Sequence, residues 1–103
     1  MTNKLLGFLG ICEKAGKLFS GELPCEKSVK SGKTRLCLLA SDASENTVKQ
    51  FQDMCSYRGI PIRPLPLTKA ELGRAIGKAE RAVVVTEDAG FGENLIQIIE
   101  GGM

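Results

Sequence analysis

Histidine is absent from the chain, and with it the usual general base and the commonest metal ligand. A Ser-His-Asp or Cys-His arrangement is therefore excluded, no other base stands beside a nucleophile, and a covalent hydrolase is not expected. The four cysteines, Cys12, Cys25, Cys37 and Cys55, lie 13, 12 and 18 residues apart without a C-x-x-C pair. That spacing argues against a zinc site. Each sits in an apolar periodic segment and reads as a small buried hydrophobe of a reducing cytoplasm. Cys25, near a helix start, is the one place where a thiolate could be stabilised.

Internal repeats, long charge runs, Ser/Gly linkers and low-complexity tracts are missing too. The opening segment is apolar in part, but Gly7, Gly10, Glu13 and Lys14 interrupt it and no apolar span of about 18 residues follows. It reads as neither a membrane helix nor a signal peptide, so no membrane partner is expected. What is present is ordinary globular composition, 43% hydrophobic and 25% charged over 103 residues. A chain of this size can bury roughly 60 to 70 per cent of its unfolded surface, which predicts one domain over residues 1–103. The net charge of +2 is uneven. Residues 1–35 hold seven Lys and Arg against three Glu, a balance of +4 that leaves −2 for the rest. Such asymmetry suits an anionic partner and equally a solvated lysine face, and it is too weak for indiscriminate coating of nucleic acid.

Apolar residues at Leu5, Phe8, Leu9 and Cys12 recur at helical spacing, predicting a helix from Asn3 to Ala15, capped by Thr2 or Asn3 and stopped at Gly16. Lys17 to Ser20 is extended, and Gly21 turns the chain into a second helix that runs to about Ser31, with Cys25 and Val29 inward. Arg35 to Ala40 is too continuously apolar for a solvated strand and should be the buried centre of the fold. Either Asp42 with Glu45 or Ser44 caps a third helix, whose buried stripe is Val48, Phe51 and Cys55 and whose stop is Gly59. Ile60 to Leu65, with Pro61 and Pro64, belongs at a sheet edge or strand end. Thr68 and Glu71 form a capping box for a helix whose Gly73 and Gly77 suggest close backbone approach and a stop. Arg81 to Thr86 is another buried strand, and Phe91, Leu95, Ile98 and Ile99 line the last helix. One helix followed by four strand-helix alternations predicts an α/β fold, a three-layer α-β-α sandwich around a mixed, mostly parallel four-stranded sheet.

Two motifs invite nucleotide chemistry and fail on context. Ser31-Gly-Lys-Thr34 resembles the tail of a phosphate-binding loop, but Lys27 stands where its first glycine is needed, and it follows a helix instead of preceding one. Ala89-Gly-Phe-Gly-Glu-Asn94 lies between a strand and a helix, yet Leu95 occupies the third glycine position. Glu87 and Asp88 are adjacent and so diverge on any regular element, and helix capping accounts for Asp88. No catalytic residue, cofactor or metal is expected.

What remains is the mouth of the second helix, within Ser20-Gly-Glu-Leu-Pro-Cys-Glu-Lys27. A helix N-terminus offers unpaired N–H groups and partial positive charge to a phosphate, and Lys27, one to two turns in, could reach the same anion. Ala15-Gly-Lys with Ser20-Gly21, Ser28-Val-Lys-Ser-Gly-Lys33, Leu38-Leu-Ala-Ser-Asp-Ala-Ser44, Thr68-Lys-Ala-Glu-Leu-Gly73 and Ala75-Ile-Gly77 follow one another in an order that spans almost the whole chain. This series resembles the kink-turn-binding ribosomal proteins of the L-seven-Ae and L-thirty-e type, especially their bacterial relatives. The resemblance implies an RNA-binding domain without enzymatic activity, recognising a kink-turn or similarly bent RNA, ribosomal RNA included. In that family the second helix meets tandem sheared G·A pairs through glycine, any residue, asparagine, glutamate and, three further on, lysine. Gly21 and Lys27 match, with Glu22 at the variable position. Leu23 and Pro24 replace the asparagine and glutamate, and each lost base contact costs on the order of 1 to 3 kcal/mol. Lys69 matches a family lysine that contacts RNA, and Gly77-Lys-Ala-Glu-Arg81 matches a loop that cradles an extruded nucleotide. Here Lys78 and Arg81 would meet phosphate instead of supplying the usual apolar contact. The alternative is a protein-interaction module of the same fold that has lost RNA binding, which the apolar Leu23 and Pro24 favour.

Overall fold

The computed structural model describes residues 2–101. Its elements are α1 (Thr2–Lys14), β1 (Leu18–Ser20), α2 (Glu22–Lys30), β2 (Leu36–Leu39), α3 (Glu45–Arg58), β3 (Ile62–Pro64), α4 (Lys69–Ala75), β4 (Val83–Thr86) and α5 (Ala89–Gly101). The cap expected at Thr2 or Asn3 falls on side chains outside the described residues. Of the two alternatives at α3, Ser44 is the cap: its Oγ accepts from the Thr47 N–H at 3.2 Å. Thr68 and Glu71 form the expected reciprocal capping box on α4, and Asp88 Oδ1 accepts from the Phe91 N–H at 2.9 Å at the head of α5.

The sheet runs in the order β1-β4-β2-β3. Period-two side-chain direction sorts its residues cleanly onto two faces. Leu36, Leu38 and Val84 join Leu5, Leu9, Leu72 and Leu95 in a core beneath α1, α4 and α5. Cys37, Leu39, Val83 and Val85 join Cys25, Val29, Phe51 and Cys55 in a second core beneath α2 and α3. Both central strands, β2 and β4, are buried throughout, as continuous apolar runs require. The proline-bearing β3 lies at an edge, where a missing amide donor is tolerated.

The expected sandwich and mixed sheet are present, but the balance of pairing is not mostly parallel. Only β2 and β3 pair in parallel, while β4 pairs antiparallel with both β1 and β2. The registers place β1, β2 and β3 in one direction and reverse β4 alone. Because β4 lies between β1 and β2, reversing one strand makes two of the three ladders antiparallel. The cause is local to α4. Its seven residues span only about 10 Å, and the chain folds back at once: the Lys78 N–H bonds the Gly73 carbonyl at 2.8 Å and the Arg81 N–H bonds the Lys69 carbonyl at 3.1 Å. The chain thus re-enters the sheet at the end it has just left, without the long crossover that a parallel strand needs.

All four cysteines are free and buried. The Cys25 thiol donates to the carbonyls of Phe19 and Val83, and burial pushes its pKa up to about 12, so helix proximity does not stabilise a thiolate there. Burial first, and the Asp88 charge second, pushes Cys12 up to about 11, and Cys37 is pushed up by its hydrogen bond to Cys55 and by burial. No described helix is long and apolar enough to cross a membrane.

Candidate nucleic-acid interface

The three helices that follow β1, β2 and β3 begin at the same end of the sheet, because those three strands run the same way. Their heads and the loop before β4 enclose a groove of about 280 Å³, walled by Gly21, Glu22, Thr47, Lys69, Glu80 and Arg81 with Ser44 at its rim. The helices reach it in different states. Side chains of Ser44 and Thr68 cap α3 and α4, and the first amide of α4 is also bonded by Asp42 Oδ1 at 2.7 Å. Helix α2 begins instead at Gly21, which has no side chain to cap it. Gly21 takes φ 91° and ψ 158°, a backbone that only glycine adopts at little cost, so the sharp turn from β1 excludes the Ser, Thr or Asp that usually quenches a helix head. Its own N–H is held by the Val83 carbonyl at 3.1 Å. Pro24 sits in the first turn of α2, where its lack of an N–H breaks no helical bond but leaves one donor fewer at the mouth.

The groove walls are ordered by hydrogen bonds. Thr47 Oγ1 donates to the Glu22 carboxylate at 2.9 Å, which ties the head of α2 to that of α3. Arg81 Nε donates to Ser20 Oγ at 3.1 Å and Nη1 to the carbonyls of Ala79 and Glu80, fixing the guanidinium beside the end of β1. With Lys69 and Arg81 against Glu22 and Glu80 the groove has no net side-chain charge. An anion placed there would therefore be held by the uncapped amides and dipole of α2 and by the two cations individually, not by a positive field.

Of the nine residues expected at an RNA site, the groove brings together Gly21, Glu22, Lys69 and Arg81. Pro24 and Lys27 line a neighbouring trough beside β1. Leu23 is 79% exposed on the outside of α2. Lys78 turns to α1, where Nζ stands 3.6 Å from the Glu13 carboxylate, so it is not among the groove's lining groups. Gly77 takes φ 72° in the loop that carries the chain back past Gly73. Sequence reasoning missed Ser44, Thr47 and Ala82 in the groove, and reached Glu80 only as part of the matched loop without a role of its own. Ser44 was legible only as a cap, and nothing in the linear order couples Thr47 to Glu22, 25 residues away.

Fold and groove together define an α/β/α sandwich of the ribosomal-protein type, organised around the head of α2 and carrying no histidine or metal-binding cluster among the described residues. The chain belongs to the ribosomal protein L7Ae/L30e/S12e/Gadd45 family, whose profile matches residues 3–96. It is 39% identical over 92 residues to the RNA-binding protein YlxQ of Bacillus subtilis, covering 89% of this chain and 91% of that one. A protein of the same name from Enterococcus faecium is 34% identical over 98 residues, 95% of this chain and 93% of its own. Among solved structures, a protein of unknown function from Bacillus halodurans superposes with a TM-score of 0.88 at 39% identity, covering 94% and 97% of the two chains. The named relatives are RNA-binding proteins, and this chain, like its family, is not an enzyme.

Proposed function

We propose that the protein is a single RNA-binding domain that recognises kink-turn or similarly bent RNA, ribosomal RNA among the candidates, by shape. The observation that carries this reading is the uncapped mouth of α2, opening into a groove flanked by Lys69 and Arg81. A backbone phosphate is held by the first amides of α2, and a sharply bent strand brings adjacent phosphates to Lys69 and Arg81, which a straight duplex does not. Leu23 and Pro24 offer no polar base contact, and the groove is electrically balanced, so discrimination rests on the fit to a bent backbone. The relatives named as RNA-binding proteins support this reading.

The test is a titration, at near-physiological salt, against a kink-turn RNA and a matched RNA whose G·A pairs are replaced by Watson-Crick pairs. Preference for the bent RNA, reduced about tenfold or more by Lys69→Glu, is expected. Equal affinity for the two RNAs refutes recognition by shape. One observation favours a second reading, a protein partner: the 79% exposed Leu23 at the end of the molecule where the groove lies. That reading predicts a partner interaction lost on Leu23→Glu and indifferent to Lys69→Glu.

A further inference from the structure

Beside β1, on the flank of α2 away from α3, lies a trough of about 310 Å³ with Phe19 and Pro24 on its apolar side, Lys27 and Lys33 at its rim, and Ser28 and Glu87 on its polar side. Phe19 is 41% exposed, which leaves part of its side chain open to solvent at the trough. Glu87 is neither loose nor neutralised. Ser28 Oγ donates to its Oε2 at 2.7 Å, and since that uses the Ser28 proton, the 2.5 Å contact between Ser28 and Thr34 must be a donation from Thr34. Two hydroxyls, both of them on buried residues, thus aim the carboxylate, which makes no ion pair among the described residues despite the lysines on the rim.

An apolar ring, an oriented acceptor and two cations within one small trough match the three parts of a nucleotide. The ring offers a stacking face, the lysines take phosphate, and the carboxylate faces the edge of the base. That edge is discriminated by donor pattern. Guanine presents two adjacent donors, N1–H and the N2 amino group, which a carboxylate accepts side by side. Adenine and cytosine set a ring-nitrogen acceptor beside their amino donor, and uracil flanks its single N–H with two carbonyls, each of which repels a carboxylate. The trough is also within reach of the groove: from Glu22 to Lys27 along α2 is about 7 Å.

We propose that this trough holds an unpaired nucleotide, guanine by preference, flanking the bent RNA seated at the head of α2, with its base on Phe19, its edge on Glu87 and its phosphates at Lys27 and Lys33. The proposal rests on the RNA-binding reading above and assigns it a second contact that the groove does not supply.

The experiment compares the full chain's affinity for three RNAs: a blunt bent RNA, and the same RNA with a three-nucleotide single-stranded flank of guanine or of adenine, placed at each end in turn. At one end the guanine flank is expected to tighten binding over the blunt RNA by roughly 5- to 150-fold, the range for one stacked base, and by more than the adenine flank does. Phe19→Leu, which keeps an apolar side chain and removes the ring, reduces the gain from both flanks. Glu87→Gln, which still accepts from Ser28, removes the guanine preference and leaves the blunt RNA bound as before. Equal affinity for blunt, guanine-flanked and adenine-flanked RNAs overturns the trough while leaving the groove standing. Failure of even the blunt RNA to bind overturns both.

Discussion

Replacing Gly73 with alanine tests how the groove is built. A Cβ at this position would stand 2.0 Å from the Ala79 carbonyl oxygen, 2.7 Å from its carbon and 3.0 Å from the Lys78 oxygen. These are backbone atoms, so no side-chain rotation relieves the clash, and the returning chain must move by at least about 1 Å to restore ordinary contact. That chain is the loop leading to Arg81, held by the Lys78 N–H to Gly73 carbonyl bond of 2.8 Å. Overpacking of this kind costs typically 1 to 3 kcal/mol, against a gain of up to about 1 kcal/mol from alanine's better helix propensity. With the full propensity gain set against it, the clash at the upper end of that range leaves a net loss of about 2 kcal/mol, and each kcal/mol lowers Tm by about 4 to 8 °C in a domain of this size. Thermal melts by circular dichroism measure it, with RNA affinity read on the folded variant well below its Tm. Because the loop carries the Arg81 wall of the groove, affinity should fall together with stability. A variant whose Tm rises, as helix propensity alone would dictate, and whose RNA affinity is unchanged would refute the close-approach argument and the loop's part in the groove.

Three further outcomes are expected. Leu23→Asn with Pro24→Glu restores polar groups at the head of α2 and should tighten binding to a G·A-containing bent RNA by roughly 5- to 150-fold per contact regained, with little effect on the Watson-Crick control; no gain would show that these positions do not face base edges. Thr47→Val removes the hydroxyl that holds Glu22 and should lower stability by about 1 kcal/mol in a denaturant titration, an unchanged midpoint telling against the α2–α3 tie. The raised Cys25 thiol makes the fold sensitive to alkali: well below pH 9 it is protonated in both states, but between pH 9 and 12 the unfolded chain gives up a proton that folded Cys25 keeps, so its contribution to stability falls as pH rises. Cys25 alone accounts for roughly 4 kcal/mol over that window, and Cys25→Ala should flatten the decline of stability measured from pH 9 to 11.

Local chemistry made most of the elements legible. The period of Leu5, Leu9 and Cys12, the continuous run of β2, the Thr68 capping box and the Pro-marked edge strand each depend on neighbours within a few residues, and each stands where the sequence places it. Gly73 was legible as a place of close approach because only a missing Cβ permits one. The resemblance likewise reached the family, since it drew on motifs along the whole chain.

The direction of β4 was not legible, because it depends on whether the chain leaving α4 crosses the sheet or turns back. Hydrogen bonds from Lys78 to Gly73 and from Arg81 to Lys69 decide that, and neither has a signature in the alternation of helix and strand. The division of the lysines was hidden for the same reason. Lys27, Lys69 and Lys78 are equivalent as isolated cations, yet folding puts Lys69 in the groove, Lys27 in the trough and Lys78 against Glu13. Glu87, set aside in the sequence as half of a diverging acidic pair, acquires an orientation only when Ser28, 59 residues earlier, reaches it. Sequence alone determined which segments are helix, strand and core, since short-range periodicity and capping fix those. Tertiary structure decided which charges meet and which helix head stays open, since both depend on contacts between residues far apart in the chain.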